Sequence, residues 1–375
     1  MSARPVDSPS LAARLLPLLL VFVPLAWASA HLGWGGVMTF AFAALAIIPL
    51  AGFMGRATET IADRLGAGIG GLLNATFGNA AELIIAFVAL QRGYTDVVKA
   101  SLTGSIIGNI LLVLGISLVA GGAKRQSQTF DRVSASAGAT MLALAAIGLI
   151  VPTVFHYATH EAVSQGRLTA AHEAAIEHGL SVEISVVLFA AYLLGLLFSL
   201  KTHRSHYGAR THDEPHPPHA AGELRLAVIT LLVATALIAW MSEVLVGAVE
   251  AASHALGLTQ VFVGVIVVAI VGNAAEHSTA VVLAMRDKID VSLQIAIGSS
   301  IQIALFVAPV LVFASLMMPG AAHMDLRFSP FEVVAVLISV WIVGLVSQDG
   351  ETNWLEGALL LAVYLILGMA FYFLP

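Results

Sequence analysis

Residues 78–82 read Gly-Asn-Ala-Ala-Glu, and residues 272–276 read Gly-Asn-Ala-Ala-Glu again, at an offset of 194. Each copy places one carboxylate and one amide side chain in the middle of an otherwise uncharged apolar segment. A charged side chain at the centre of a bilayer costs about 2.5–3.5 kcal/mol on insertion scales, so such residues are usually functional. A carboxylate that occurs twice at matched positions predicts a cation site in an internally repeated transporter.

The composition is that of a polytopic membrane protein. Hydrophobic residues make up 59% and charged residues 11% of the 375 residues, whereas soluble domains contain about 25% charged residues. Apolar stretches of about 18 residues or more recur along the chain, each long enough to cross the hydrocarbon core. The chain has no cysteine, which excludes disulfides, zinc thiolates and cysteine nucleophiles. The net charge of −6 and the lack of a dense basic surface argue against nucleic acid as a partner.

We predict an all-α polytopic membrane protein with about eleven transmembrane helices. With a cytoplasmic N-terminus, thirteen of the 17 Lys and Arg residues fall on the inner side and four on the outer side, as the positive-inside rule requires. The C-terminus is then outside, and we expect the inner membrane of a cell. The predicted spans are 15–32, 37–54, 68–90, 98–120, 133–154, 181–200, 224–245, 258–284, 292–316, 330–348 and 354–374.

The first apolar run has a second interpretation. Basic residues precede it and Ala-Trp-Ala-Ser-Ala follows at 26–30, which resembles the cleavage site of a signal peptide. Because a second span follows at once and the charge distribution is consistent with it, we predict a retained helix.

The repeat extends beyond the pentapeptide. The pairs that align at the same offset without a gap include Arg92/Arg286, Asp96/Asp290, Gly104/Gly298, Ser105/Ser299 and Ile107/Ile301. The matched region covers two consecutive spans and their connection in each half. Span three and its counterpart, span eight, cross the membrane in opposite directions, so we predict two inverted five-helix repeats plus an extra N-terminal helix, an arrangement that supports alternating access.

This repeat divides the chain into four parts. Residues 1–36 are the N-terminal segment and first helix, 37–200 the first half, 201–223 a cytoplasmic linker, and 224–375 the second half. Because the linker is polar and proline-containing, we interpret it as a tether; metal chelation or pH sensing by its histidines is the alternative. These histidines are His203, His206, His212, His216 and His219.

The repeated residues predict the cation site itself. In each copy the asparagine and the glutamate are three residues apart, so they share one helix face. The preceding glycines, Gly78 and Gly272, weaken the helix and are expected to break it, which would free carbonyl groups that line a cavity or are buried in protein. The candidate metal ligands are Glu82, Glu276, Asn79 and Asn273.

This set of ligands is all oxygen, which suits a hard cation such as Ca²⁺. Two carboxylates neutralise a divalent ion in the apolar interior. When the ion leaves, the bare carboxylates repel each other and are poorly solvated, so protons replace it. Antiport of Ca²⁺ and H⁺ then follows from the site. The alternative, in which Asn and Glu only hold helices together, suits a single copy better than two matched ones.

Polar residues on the partner spans are candidates for a supporting layer or a proton path. Ser105 and Asn109 are four apart on span four, and Ser299 and Gln302 are three apart on span nine. We expect them to hydrogen-bond the carboxylates or line the proton path, with plain packing as the alternative. His277 directly follows the second glutamate and points about 100° away from it; it is either a secondary proton group or a structural histidine.

Longer stretches around these motifs resemble a known family. Residues 70–83 read GGLLNATFGNAAEL, residues 104–109 read GSIIGN and residues 298–309 read GSSIQIALFVAP. Together with the second motif copy they closely resemble the Ca²⁺/H⁺ antiporter (cation/proton exchanger) family, within the cation/Ca²⁺ exchanger superfamily. The resemblance covers both repeats.

The resemblance implies export of cytosolic Ca²⁺ driven by proton entry, with Ca²⁺ as substrate, no cofactor and no enzymatic activity. Ala81 and Gly108 stand where the family often has Thr and Ser, which puts ion selectivity rather than mechanism in question. The residues that the resemblance assigns are the metal-coordinating Glu82 and Glu276, the motif asparagines Asn79 and Asn273, and the supporting Asn109 and Gln302.

Other functions remain as alternatives. Na⁺/Ca²⁺ exchange would call for additional hydroxyl ligands, and Mn²⁺-selective exchange would use the same site. A cation channel and an intramembrane metalloenzyme are more distant alternatives. The sequence has no compact His-Glu-x-x-His motif for the latter. The partners are the bilayer and the two ions, and the sequence leaves room for a homo-oligomer.

Residues 156–183 are rich in histidine and glutamate. We predict an outer loop here, either an ordinary polar loop or one with a short helix that gathers protons or cations. The residues concerned are His156, His160, Glu161, His172, Glu173, Glu177, His178 and Glu183.

Overall fold

The structure, a computed structural model, describes residues 16–203, 221–318 and 323–374. Long apolar segments fold as helices because a helix satisfies every backbone hydrogen bond within the segment. The helices of the described residues are α1 (Phe22–Leu32), α2 (Gly36–Phe77), α3 (Ala80–Gln91), α4 (Thr95–Gly122), α5 (Arg132–Ser164), α6 (Ala170–Leu197), α7 (Ala221–Leu256), α8 (Gln260–Met285), α9 (Ile289–Leu316), α10 (Pro330–Val346) and α11 (Trp354–Phe373).

Among the described residues, 8 helices are long and apolar enough to cross a membrane, and α3, α10 and the segment Pro17–Leu32 are shorter apolar helices. The predicted class, a mostly helical polytopic membrane protein, is confirmed. Two strands, β1 (Gln128–Thr129) and β2 (Glu351–Thr352), pair antiparallel and join the connections that follow α4 and precede α11. Most of the predicted linker, residues 204–220, lies outside the described residues.

The third predicted span, 68–90, differs from the structure. Its first part belongs to α2, which contains a sharp break at Gly66, where φ is 77° and ψ is 171°. Glycine adopts this conformation without the steric cost that a Cβ would impose. The second part is α3, which begins after Gly78 and Asn79, and Asn79 has non-helical angles of φ −103° and ψ 29°. The predicted break at Gly78 is therefore present.

Among the described residues, a π-helical segment at Phe198–Thr202 directly follows α6, and α4, α8 and α9 each contain a π-helical turn in their interior. These turns are Gly108–Val113 in α4, Val263–Val268 in α8 and Ile303–Val307 in α9. π-turns inside α-helices occur frequently at functional sites. The turns in α4 and α9 lie at Asn109 and directly after Gln302, two residues that the sequence analysis placed near the cation site.

The expected outer loop at residues 156–183 is wrong. Helix α5 continues to Ser164 and α6 begins at Ala170, so these residues lie mainly on two long helices and not on a separate short one. The alanine-rich start of α6 favours helix, and the Thr169 side chain caps it by accepting a hydrogen bond from His172 N at 3.3 Å.

Two buried apolar clusters hold the helices together. One includes Leu111, Leu142 and Leu311 on α4, α5 and α9; the other includes Ile47 and Ile238 on α2 and α7. Helices α3 and α8 contribute to both clusters. The residues that the sequence analysis singled out therefore lie on helices close to both clusters.

Helices α4 and α8 approach each other closely. A Cβ on Gly104 would collide with the backbone of Val265, and one on Gly264 would lie 2.7 Å from the Ala100 Cβ. Glycine at these positions lets the two backbones touch. This contact brings the polar residues of α4 next to the second motif copy on α8.

Candidate cation-binding site

Four helices supply the polar residues of the site. The first motif copy lies at the start of α3 and the second on α8, while their polar partners lie on α4 and α9. The structure brings all the sequence-predicted residues into one cluster. The members are Asn79, Glu82, Ser105, Asn109, Asn273, Glu276, His277, Ser299 and Gln302.

Asn79 is held by α9. Its Oδ1 accepts a hydrogen bond from Ser299 Oγ at 2.7 Å, and its Nδ2 donates one to Gln302 Oε1 at 2.5 Å. The asparagine itself is 2% exposed. Both partners come from the second half of the chain, so the second half fixes the orientation of the first motif.

Asn273 is held in a corresponding way by α4. Its Nδ2 donates to Ser105 Oγ at 3.0 Å, and also to the carbonyl of Ala269 on its own helix at 2.9 Å. Ser105 and Ser299 are the residues that align at the offset of the repeat. Each asparagine is therefore bound by the matched serine of the other half.

Asn109 connects the two sides of the cluster. Its Nδ2 lies 3.0 Å from Ser299 Oγ and 3.4 Å from Asn273 Oδ1. Its Oδ1 accepts a hydrogen bond from His277 Nε2 at 3.0 Å. The residue is 1% exposed. The His277 side chain therefore contributes to the same network as the asparagines, although it does not share the helix face of the glutamate.

Glu82 is buried and Glu276 is partly buried, and each faces the glycine of the opposite motif. A Cβ built on Gly272 would lie 3.3 Å from Glu82 Oε1, and one on Gly78 would lie 3.6 Å from Glu276 Oε1. The two carboxylates are close enough for their charges to interact. The small glycines leave room for the carboxylates between α3 and α8.

Each glutamate has one oxygen without a partner. Glu82 Oε2 and Glu276 Oε2 are buried and accept no hydrogen bond from the residues that the structure describes. An unsatisfied buried carboxylate oxygen is costly unless a proton or a cation occupies it. The arrangement can therefore hold a cation between oxygens of both motifs.

The predicted helix break at Gly272 is wrong. Helix α8 is continuous from Ala269 to Met285, and its irregular turn lies earlier, at Val263–Val268. Glycine lowers helix stability by only about 1 kcal/mol, which packing of α8 between its neighbours outweighs. The glycine at 272 is explained instead by the space that the Glu82 side chain requires.

The supporting residues differ in part from their prediction. Ser105 and Asn109 hydrogen-bond to Asn273. Gln302 hydrogen-bonds to Asn79. These bonds are to asparagine side chains and not to the carboxylates. Sequence spacing shows which residues share a helix face, but it does not show which residue of another helix they meet.

Two buried charges near one end of α4 were not singled out from the sequence. Lys99 Nζ lies 2.6 Å from Asp325 Oδ1, and Glu332 Oε1 accepts a hydrogen bond from Thr103 Oγ1 at 3.0 Å. Lys99 and Glu332 line a cavity of about 390 Å³. In the sequence, Lys99 and Glu332 can be recognised as charged residues at the ends of apolar segments.

Comparison with known proteins places the chain in a family. The family model described as sodium/calcium exchanger protein matches residues 35–201 and 226–373. The Ca(2+)/H(+) antiporter of Synechocystis sp. is 47% identical over 96% of this chain and 98% of that protein. The Ca(2+)/H(+) antiporter ChaA of Bacillus subtilis is 41% identical over 95% of this chain and 98% of that protein.

Solved structures agree with this placement. The structure of native YfkE is 39% identical, covers 96% of this chain and 100% of that chain, and superposes with a TM-score of 0.80. A crystal structure of the H+/Ca2+ exchanger CAX, 14% identical, shares the fold with a TM-score of 0.62. The resemblance inferred from the motifs is confirmed: the chain belongs to the sodium/calcium exchanger protein family of membrane transporters.

Proposed function

We propose that the protein is a secondary active transporter that exchanges cytosolic Ca²⁺ for H⁺, with Glu82 and Glu276 binding either the cation or protons. The observation that carries this proposal is the pair of carboxylates from the two motif copies, each with a buried oxygen that accepts no hydrogen bond from the described residues. The names of the relatives from Synechocystis sp. and Bacillus subtilis support the same exchange.

The chemistry of exchange follows from charge balance. One Ca²⁺ neutralises two carboxylates, and so do two protons, whereas two bare carboxylates are expensive in a buried site. The site is therefore stable when it holds the cation or when it holds protons. Asn79 and Asn273 supply amide oxygens near the carboxylates, and oxygen is the ligand atom that Ca²⁺ takes.

Two inverted halves would explain how the site opens to each side in turn. The matched contacts Asn79–Ser299 and Asn273–Ser105 support such a relationship between the halves. The family match, in two stretches separated by residues 202–225, supports the proposed linker boundary.

Contacts among the connections support the proposed eleven-span topology. Arg125 and Asp287, both assigned to the inner side, form an ion pair at 3.0 Å. Lys99 and Asp325, both assigned to the outer side, form one at 2.6 Å. These pairs fit either orientation of the chain. The distribution of Lys and Arg is our ground for placing the N-terminus in the cytoplasm and the C-terminus outside, and we propose the inner membrane of the cell as the location. A homo-oligomer stays a prediction, which light scattering of the detergent-solubilised protein tests.

The experiment that tests the function measures Ca²⁺ uptake into proteoliposomes with an acidic interior. We expect uptake that collapses when a protonophore is added and that does not require sodium. A matched preparation with an imposed sodium gradient and no pH gradient tests Na⁺/Ca²⁺ exchange, for which Ala81 supplies no hydroxyl ligand. Uptake driven by sodium alone would overturn the proton-coupled proposal. Competition by excess Mn²⁺ measures the selectivity of the site between Mn²⁺ and Ca²⁺. Ca²⁺ uptake that depends on neither the proton gradient nor the sodium gradient would indicate a channel.

A further inference from the structure

A second cluster of metal-ligating side chains lies where α5 and α6 meet. His156 and His160 are four residues apart on α5, and Glu173 and Glu177 are four apart on α6. Residues at this spacing share one helix face. The two pairs face each other near the connection between the helices, and none of these residues belongs to the candidate cation site.

The donor atoms lie close together. His156 Nδ1 is 2.8 Å from Glu177 Oε1 and 3.8 Å from Glu173 Oε1, and His160 Nδ1 is 3.4 Å from Glu173 Oε1. One ligand atom each from His156, Glu173 and Glu177 can be chosen so that all lie within 4.8 Å of one another. In a tetrahedral zinc site, with bonds of about 2.0–2.2 Å, neighbouring ligand atoms are separated by roughly 3.3–3.6 Å. Of the observed distances, 2.8 Å lies below this range, 3.4 Å lies within it and 3.8 Å lies above it.

An unsatisfied buried oxygen points to a missing ligand. Glu173 Oε1 is buried and accepts no hydrogen bond within the described part of the chain. The side chains of Glu173 and Glu177 are each only 12% exposed. Thr159 Oγ1 donates a hydrogen bond to Glu177 Oε1 at 2.7 Å, which fixes that carboxylate toward the histidines. Two largely buried carboxylates on adjacent turns call for a positive charge between the helices.

Among the described residues, Arg327 is a side-chain cation in contact with this cluster. Its Nη1 lies 3.5 Å from Glu177 Oε2 and 3.1 Å from His156 Nδ1. Arg327 is 43% exposed and lies in the segment before α10, so its side chain has room to move into solvent. It balances the carboxylates when no metal is bound, and a bound metal would replace it.

We propose that His156, His160, Glu173 and Glu177 form a binding site for a divalent transition metal of the Zn²⁺ type. Imidazole nitrogen combined with carboxylate oxygen suits Zn²⁺ and similar ions, whereas Ca²⁺ takes oxygen ligands only. The exposed side chain of His160, which is 68% accessible, completes the set by a rotation toward the carboxylates. The site is independent of the proposed exchange activity.

The test measures Zn²⁺ bound to the full-length, detergent-solubilised protein by isothermal titration. The background protein carries Glu82→Gln and Glu276→Gln, and alanine in place of the five linker histidines, so that neither region contributes. In this background, His156→Ala/His160→Ala is compared with His172→Ala, which removes an exposed histidine from the same helix pair. We expect one equivalent of Zn²⁺ to be lost in the double variant and kept in the control.

A second readout separates metal binding from folding. Zn²⁺ should raise the melting temperature of the control, because a ligand that binds only the folded state stabilises it. The double variant should melt cooperatively without a response to Zn²⁺. Glu173→Gln should lose the response as well. Equal Zn²⁺ equivalents and equal thermal shifts in the double variant and the control would overturn the proposal.

Discussion

Ser299 donates a 2.7 Å hydrogen bond to Asn79 Oδ1, across a separation of 220 residues in the sequence. The matched pair, Asn273 and Ser105, forms the corresponding contact at 3.0 Å. Each half of the chain thus orients the asparagine of the other half. A movement of one half against the other must change both contacts, which couples the geometry of the site to the relative position of the halves.

Replacing either glutamate by glutamine is expected to abolish exchange. With one carboxylate left, a bound divalent ion keeps a net charge in the interior, at a cost of about 2.5–3.5 kcal/mol, or roughly 100-fold in affinity. Ca²⁺ uptake by Glu82→Gln and Glu276→Gln proteoliposomes checks this. Glu243→Gln, which changes an exposed carboxylate on α7, is the matched control. Full activity in either site variant would remove that glutamate from the mechanism.

The contact between Asn79 and Ser299 should contribute to Ca²⁺ binding. We expect Asn79→Ala and Ser299→Ala each to weaken Ca²⁺ affinity about fivefold or more, because a net hydrogen bond contributes about 1 kcal/mol. The double variant should lose less than the sum of the two, since the residues share one interaction. Affinities and melting temperatures of all three are measured together. Strictly additive losses would show that the two residues act separately.

A methyl group at Gly272 should interfere with the site. The new Cβ would lie 3.2 Å from Glu82 Cγ and 3.3 Å from its Oε1, and such overpacking costs about 1–3 kcal/mol. We expect Gly272→Ala to lower Ca²⁺ affinity about tenfold, although alanine favours the helix. Gly298→Ala is the control, because a Cβ there meets nothing within 4 Å. Equal affinity in both variants would refute the close approach of Glu82 to α8.

His277 is expected to position Asn109 rather than to carry the transported proton. Its Nε2 donates to Asn109 Oδ1 at 3.0 Å, so His277→Ala should lower the melting temperature and weaken Ca²⁺ affinity a few-fold. The pH profile of exchange should keep its shape, and His277→Gln, which can still donate, should restore affinity. A flattened pH profile with normal affinity would instead assign His277 to the proton path.

The sequence predicted the site residues of the duplicated motif, but it did not predict the contacts between residues that are far apart in the chain. The composition predicted the membrane class, the stretches around the motifs predicted the family, and the duplicated motif with its aligned partner spans predicted the residues that the structure brings together. It could not predict that Ser299 binds Asn79, since helical spacing does not specify the partner on another helix. The expected break at Gly272 was wrong because tertiary packing outweighs a local propensity of about 1 kcal/mol. The expected loop at residues 156–183 was wrong because α5 and α6 extend beyond their apolar segments.

The most direct measurement of the central claim is the number of protons released when Ca²⁺ binds to the solubilised protein. Isothermal titration in buffers of different ionisation enthalpy gives this number. Because protons and Ca²⁺ compete for the same carboxylates, we predict proton release on binding and an apparent affinity that rises with pH. The Glu82→Gln/Glu276→Gln variant should show neither. Ca²⁺ binding without proton release at any pH, or unchanged binding in the variant, would contradict the account.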